Sequence, residues 1–163
     1  MAKPEFSEIQ FVFEFFHHLR NESTINIKYK IPTLGQECNF DILYGGSDLI
    51  ILNNLFIQFK ISEYFIYSNT SEIINKTLSK DFLPYYRFHI KYSPNSFQYN
   101  NLKQLAKDKN KIVRHVAPMF HKISDFESNS VDNFIQNTIY FDLKDFKNVE
   151  IDKNDKHTIC YNK

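Results

Sequence analysis

The segment Leu55-Phe56-Ile57-Gln58-Phe59-Lys60-Ile61 constrains this chain more than any other stretch. Its period of two is that of a strand, with Ile57, Phe59 and Ile61 on one face and Phe56, Gln58 and Lys60 on the other. An ammonium on an otherwise apolar strand is costly to desolvate unless a carboxylate stands beside it. The fold must therefore bring an acid to Lys60. Asp41 is the natural partner, because it sits in the strand-like Phe40-Asp41-Ile42-Leu43-Tyr44. Gly45-Gly46 and Asn53-Asn54 then return the chain toward Gln58 and Lys60. Glu37, upstream of Asp41, can face the same space.

The remaining periodicities frame that strand. Residues 5–21 read as a helix: Phe6, Ile9, Phe13, Phe16 and Arg20 fall three and four apart, with Val12 and Leu19 widening the apolar face and Ser7-Glu8 at the start. Residues 25–31 alternate as a strand that ends at Pro32-Thr33-Leu34-Gly35. The stretch 63–80 is polar and matches neither period. Strand patterns recur over 85–91, 112–117, 138–141 and 157–161, with a helix over 97–108 whose core contacts are Leu102 and Leu105. This order predicts one α/β (α+β) domain over 1–163, built on a mixed central sheet.

Composition narrows the function classes. Lys and Arg number 20 against 19 Asp and Glu, a net charge of +1, so any contact with nucleic acid must come from a local patch. The apolar runs, such as Leu49-Ile50-Ile51-Leu52, fall far short of the roughly 20 residues needed to span a bilayer. Met1-Ala2-Lys3-Pro4-Glu5 has no apolar core of a signal peptide, and a cytoplasmic protein with no membrane partner is expected. Cys38 and Cys160 then stay reduced. The 17 Phe against 3 Gly, with abundant Asn, Ile and Lys, carry the imprint of an AT-rich genome, so isolated polar residues say little.

Asp41 followed by Gln58-Phe59-Lys60 resembles the active site of the PD-(D/E)xK superfamily, in the D…QxK variant found in Mrr-like nucleases. The resemblance implies a restriction-endonuclease-like αβββαβ core, with the first helix, the 97–108 helix and the 112–117 strand in matching order. It implies a metal-dependent nuclease that hydrolyses phosphodiester bonds, most naturally in DNA, with a place in bacterial defence or in a mobile element. The implied cofactor is Mg²⁺ or Mn²⁺, held by Asp41, Gln58 and Glu37, with Glu8 as an outer ligand, while Lys60 orients water and offsets charge. A homodimer or a partner subunit is compatible with enzymes of this fold. Across most of its length the chain also resembles a group of uncharacterised bacterial proteins. That resemblance rests on Ser7-Glu8, Pro32-Thr33, Pro84-Tyr85-Tyr86-Arg87-Phe88, Val116-Ala117-Pro118-Met119-Phe120-His121 and Asp155-Lys156-His157.

Each of these residues also has an ordinary reading. Asp41 can cap a turn, and Gln58 with Lys60 can form an exposed edge face in a catalytically inactive protein of the same fold that binds nucleic acid or a protein partner. Arg87 and His89 share a face of an aromatic strand and can meet phosphate, or the aromatics can simply fill a core. Gln98 and Lys103 on the second helix are candidate nucleic-acid contacts or solvated polar residues, as are Lys107, Lys109 and Lys111. His17, His18, His115 and His121 show no metal-binding spacing and read as structural.

Overall fold

The computed structural model describes residues 1–22, 28–31, 47–52, 54–67, 78–91, 97–128, 131–145 and 156–162. Asp41, Glu37 and Cys38 lie outside the described residues, as does the strand expected over 40–44.

Helix α1, Glu8–Glu22, begins where the sequence supplies a reciprocal cap. The Ser7 hydroxyl accepts from the Gln10 N–H at 3.2 Å, and the Gln10 side-chain oxygen accepts from the Ser7 N–H at 2.8 Å. The buried face of α1 is shifted from the one that spacing selects. Phe6 and Phe16 are buried as expected, but Ile9 and Phe13 are 68% and 71% exposed, and Phe11, Phe15 and His18 are buried instead. The apolar arc of this helix is wide, so periodicity alone does not fix which part of it faces the core. The partner ring chooses it: Phe59 receives Phe15 at 5.1 Å and Phe11 at 5.9 Å, both edge-on.

Among the described residues eight strands follow: β1 Tyr29–Lys30, β2 Leu49–Ile51, β3 Leu55–Phe59, β4 Glu63–Phe65, β5 Tyr85–Lys91, β6 Ile112–Pro118, β7 Thr138–Asp142 and β8 Lys156–Tyr161. They form a five-stranded sheet in the order β1-β2-β3-β6-β7 and a three-stranded sheet in the order β4-β5-β8. The larger sheet is mixed. β1, β2 and β3 form an antiparallel meander, β6 runs parallel to β3, and β7 returns antiparallel. A parallel pair needs a long crossover, and here it contains β4, β5 and helix α2, Phe97–Leu105. Helices α3, Ile123–Ser128, and α4, Val131–Gln136, lie between β6 and β7. The sequence patterns point to neither helix, nor to β4 inside the polar stretch 63–80.

Two apolar layers cover the larger sheet. On one face Leu49, Ile51, Ile57, Phe59 and Val116 pack against Phe11 and Phe15 of α1 and Phe134 of α4. On the other, Ile50, Phe56, Val113 and Ala117 pack against Tyr86, Phe88 and Ile90 of β5, Tyr161 of β8, and Leu102 and Leu105 of α2. The alternation expected for residues 55–61 is therefore borne out: Ile57 and Phe59 share the helical layer, and Phe56 faces the smaller sheet. Among the described residues, no helix is long and apolar enough to cross a membrane.

The chosen face of α1 gives a direct stability test. Phe11→Ala, at a fully buried ring, should cost about 3–5 kcal/mol, whereas Phe13→Ala should stay within about 0.5 kcal/mol. Urea unfolding followed by far-UV circular dichroism measures both.

Candidate metal and phosphate site

The β2–β3 hairpin places an acid beside the polar face of β3. Its turn uses Leu52 at φ 52°, a left-handed conformation that a side chain tolerates poorly and that fixes the local geometry. Counting outward from that turn, Ile51 pairs with Leu55 and Leu49 with Ile57. The next residue back on β2 is Asp48, and the next residue forward on β3 is Gln58. The Asp48 N–H donates to the Ile57 carbonyl at 2.8 Å. Its carboxylate Oδ2 accepts from the Phe59 N–H at 2.6 Å. A carboxylate thus completes the ladder where strand pairing has run out, and it lies against the Gln58-Phe59-Lys60 backbone. Sequence reading misses Asp48. Its place depends on the hairpin register, in which an acid opens the buried run Leu49-Ile50-Ile51 and a short turn returns the chain to Gln58.

Lys60 is held from the opposite edge. Its N–H donates to the Val116 carbonyl of β6 at 2.9 Å, which extends the parallel pairing past the end of β3. Just beyond it, the buried Ser62 hydroxyl bonds the Tyr161 hydroxyl, and Tyr161 donates to the Pro118 carbonyl at 2.8 Å. Burial raises the Tyr161 phenol above its ordinary pKa, so it remains a neutral donor. Gln58 is 3% exposed and pairs in register with His115 of β6, itself 1% exposed. Burial first, and the Lys60 ammonium second, push the His115 imidazole down to about 3. A neutral ring therefore sits beside the amide, with Phe88 at 6.3 Å.

Lys60 lines a cavity of about 390 Å³ together with Lys3, Glu8, Glu63, Arg87 and His89. Four residues singled out from sequence, Glu8, Lys60, Arg87 and His89, thus meet in one place. The lining carries Lys3, Lys60 and Arg87 against Glu8 and Glu63, so cations exceed carboxylates by one, His89 aside. Arg87 does not project alone. Its Nη2 lies 2.6 Å from Glu63 Oε2, and its guanidinium sits 4.3 Å from the centre of the Phe65 ring. His89 is exposed and its Nδ1 lies 3.1 Å from the Thr158 hydroxyl. Gln98 and Lys103 are exposed on α2 and do not line this cavity. The structural reading of His18 fits its place, stacked on Phe134 at 4.5 Å and 3.2 Å from Glu14.

The donors at this site are hard oxygens: the Asp48 carboxylate and the Gln58 amide carbonyl, with Glu8 in the adjoining cavity. Among the described residues no group of three or more His, Cys, Asp or Glu side chains is placed to hold a metal ion. By type alone, carboxylate and amide oxygens suit Mg²⁺ rather than zinc.

The buried imidazole gives the site a pH signature. His115 is depressed in the folded chain, so the unfolded chain binds more protons between its ordinary 6.5 and about 3. Its contribution is complete above pH 6.5 and falls by about 1.4 kcal/mol per pH unit as pH drops through that window. His115→Phe should flatten the acid limb of the stability curve by one proton, as measured by urea unfolding between pH 4 and 7.

Three comparisons with known proteins add no relative: no protein-family model, no curated protein and no solved structure matches the chain.

Proposed function

We propose that this protein is a metal-dependent phosphodiesterase of the PD-(D/E)xK type acting on DNA, with Asp48 as its principal metal-binding carboxylate. The observation that carries the reading is the Asp48 side chain bonded to the Phe59 N–H, between Gln58 and Lys60. The topology is compatible with it: a helix, an antiparallel three-strand meander, a second helix and a strand parallel to the third follow in that order, with β4 and β5 inserted between the meander and the second helix.

The residues divide the work by their chemistry. Asp48 and the Gln58 carbonyl oxygen would hold Mg²⁺ or Mn²⁺, with Glu8, Glu37 and Asp41 as further carboxylates. When bound, the cation supplies positive charge that polarises the phosphate and acidifies a water. Lys60, fixed through its backbone to β6, orients the attacking water and offsets charge that grows on the phosphate in the transition state. Arg87 is pre-positioned by Glu63 and lines the cavity, where its guanidinium, Lys3 and His89 would meet phosphate. Catalysis here asks the protein for positioning and charge, and not for a covalent step.

A second reading follows from Gln58 itself. An amide carries no charge, and this one is 3% exposed. A protein of this fold that binds nucleic acid without cutting it would have the same strand.

Supercoiled plasmid and single-stranded DNA, incubated with Mg²⁺, Mn²⁺ or EDTA, separate the two. Cleavage should require metal and fall by about 100-fold or more in Asp48→Ala and Lys60→Ala, while Asp41→Ala retains most of it. Loss in Asp41→Ala with retention in Asp48→Ala would move the ligand to Asp41. Metal-independent activity, or none at all, would sink the catalytic reading. Gln58→Glu adds a charged ligand and should lower the Mn²⁺ concentration needed for half-maximal cleavage.

A further inference from the structure

A second cavity, of about 490 Å³, adjoins the first and is lined by Tyr64, Tyr67, Tyr86, His121, Lys122 and Asp125. Its inner wall is the end of a ladder of rings. Tyr161, buried in the core, stacks on Tyr86 at 5.7 Å and 22°; Tyr86 meets Tyr64 at 4.8 Å and 37°; Tyr64 stacks on His121 at 4.4 Å and 19°. The ladder runs from the core to the cavity and stops at His121. Tyr67 stands at the rim, 60% exposed.

The polar groups at the end of the ladder have opposite signs. The Asp125 carboxylate is close enough to act on both Tyr86 and His121. Lys122 follows His121 in the chain and is exposed. Burial lowers the His121 imidazole, which favours the neutral ring as the last rung.

The two cavities are lined by consecutive residues of the same segments. Ala2 pairs with Tyr64 through reciprocal backbone bonds of 2.8 and 2.9 Å. Met1 and Ala2 line the second cavity, and Lys3 and Pro4 line the first. Four extended residues span at most about 14 Å, so the two linings approach each other within that distance along the N-terminal segment.

We infer that the second cavity is a nucleobase subsite, in which an unpaired base of a single strand continues the Tyr86–Tyr64–His121 stack. Aromatic faces take any base, since every base has a π-face. Asp125 accepts from an exocyclic amino group, and Lys122 meets the adjoining phosphate. A base stacked within a duplex offers no free face, so the subsite selects single strands, frayed ends or extruded bases. The inference rests on reading the first cavity as a phosphodiester site, and it narrows that site's substrate to nucleic acid unpaired beside the cut.

Fluorescence anisotropy in EDTA, with a labelled 12-nucleotide strand, its blunt duplex and a strand of abasic residues, tests it without cleavage. Wild type should bind the normal strand roughly ten-fold or more tighter than either control. Tyr67→Ala and His121→Ala should remove most of that preference while leaving abasic binding unchanged, and His121→Phe should restore it. Tyr67 is exposed, so its variant reports even if His121→Ala folds poorly. Equal loss on normal and abasic strands, or no preference in wild type, overturns the subsite. If base-dependent binding holds while metal-dependent plasmid cleavage is absent, the subsite stands and the catalytic reading falls. If Lys60-dependent cleavage occurs without base preference, the catalytic reading stands and the subsite falls.

Discussion

The hydrogen bond between the Asp48 carboxylate and the Phe59 N–H governs how the rest of the structure can be arranged. β3 is an inner strand with a fully apolar face toward α1 and α4, and on its other face an amide is followed by an ammonium. A strand in that position must satisfy its backbone on both edges. β6 does so on one edge as far as Lys60. On the other edge β2 ends early, and the side chain of the residue before it supplies the missing acceptor. The same carboxylate that closes the ladder lies beside the Gln58-Phe59-Lys60 backbone. Structural necessity and candidate chemistry therefore coincide in a single side chain.

That coincidence explains the placement of the imidazole opposite Gln58. A charged histidine on β6 would set two cations within one buried face, and burial already disfavours the protonated ring. Held neutral, His115 adds a polar neighbour to the amide without competing with Lys60 for anions. The wall behind Lys60 is built in the same way. Ser62, Tyr161 and the Pro118 carbonyl form a buried chain in which each polar atom named has a partner. A buried polar network of this kind favours one arrangement over its alternatives because a half-satisfied version is costly.

Sequence periodicity reveals elements where one face alone is apolar or where polar residues punctuate the pattern. β5 over 85–91 and β6 over 112–118 match the expected spans closely, and β3 is the expected strand, shorter at its end. Periodicity fails where the apolar arc is wide. In α1 the pair Phe11 and Phe15 wins over Ile9 and Phe13 because a ring on another strand, Phe59, selects them, and no local spacing encodes that choice. It fails too where elements are short: α3 and α4 span too few residues to repeat a helical face. At the site, Gln58 and Lys60 are legible as a polar face on an apolar strand. Asp48 is not, because its role depends on a hairpin register that a non-glycine residue at positive φ sets.

The two cavities divide the smaller sheet's contribution by strand alternation. Glu63 and Arg87 pair across β4 and β5 and turn their charges toward the first cavity; their neighbours Tyr64 and Tyr86 pair in the next register and turn their rings toward the second. A period of two thus separates charged side chains from aromatic ones within a single strand pair. The buried rings of the sheet continue outward from Tyr161 through Tyr86 and Tyr64 to the half-buried His121, beside the exposed Tyr67.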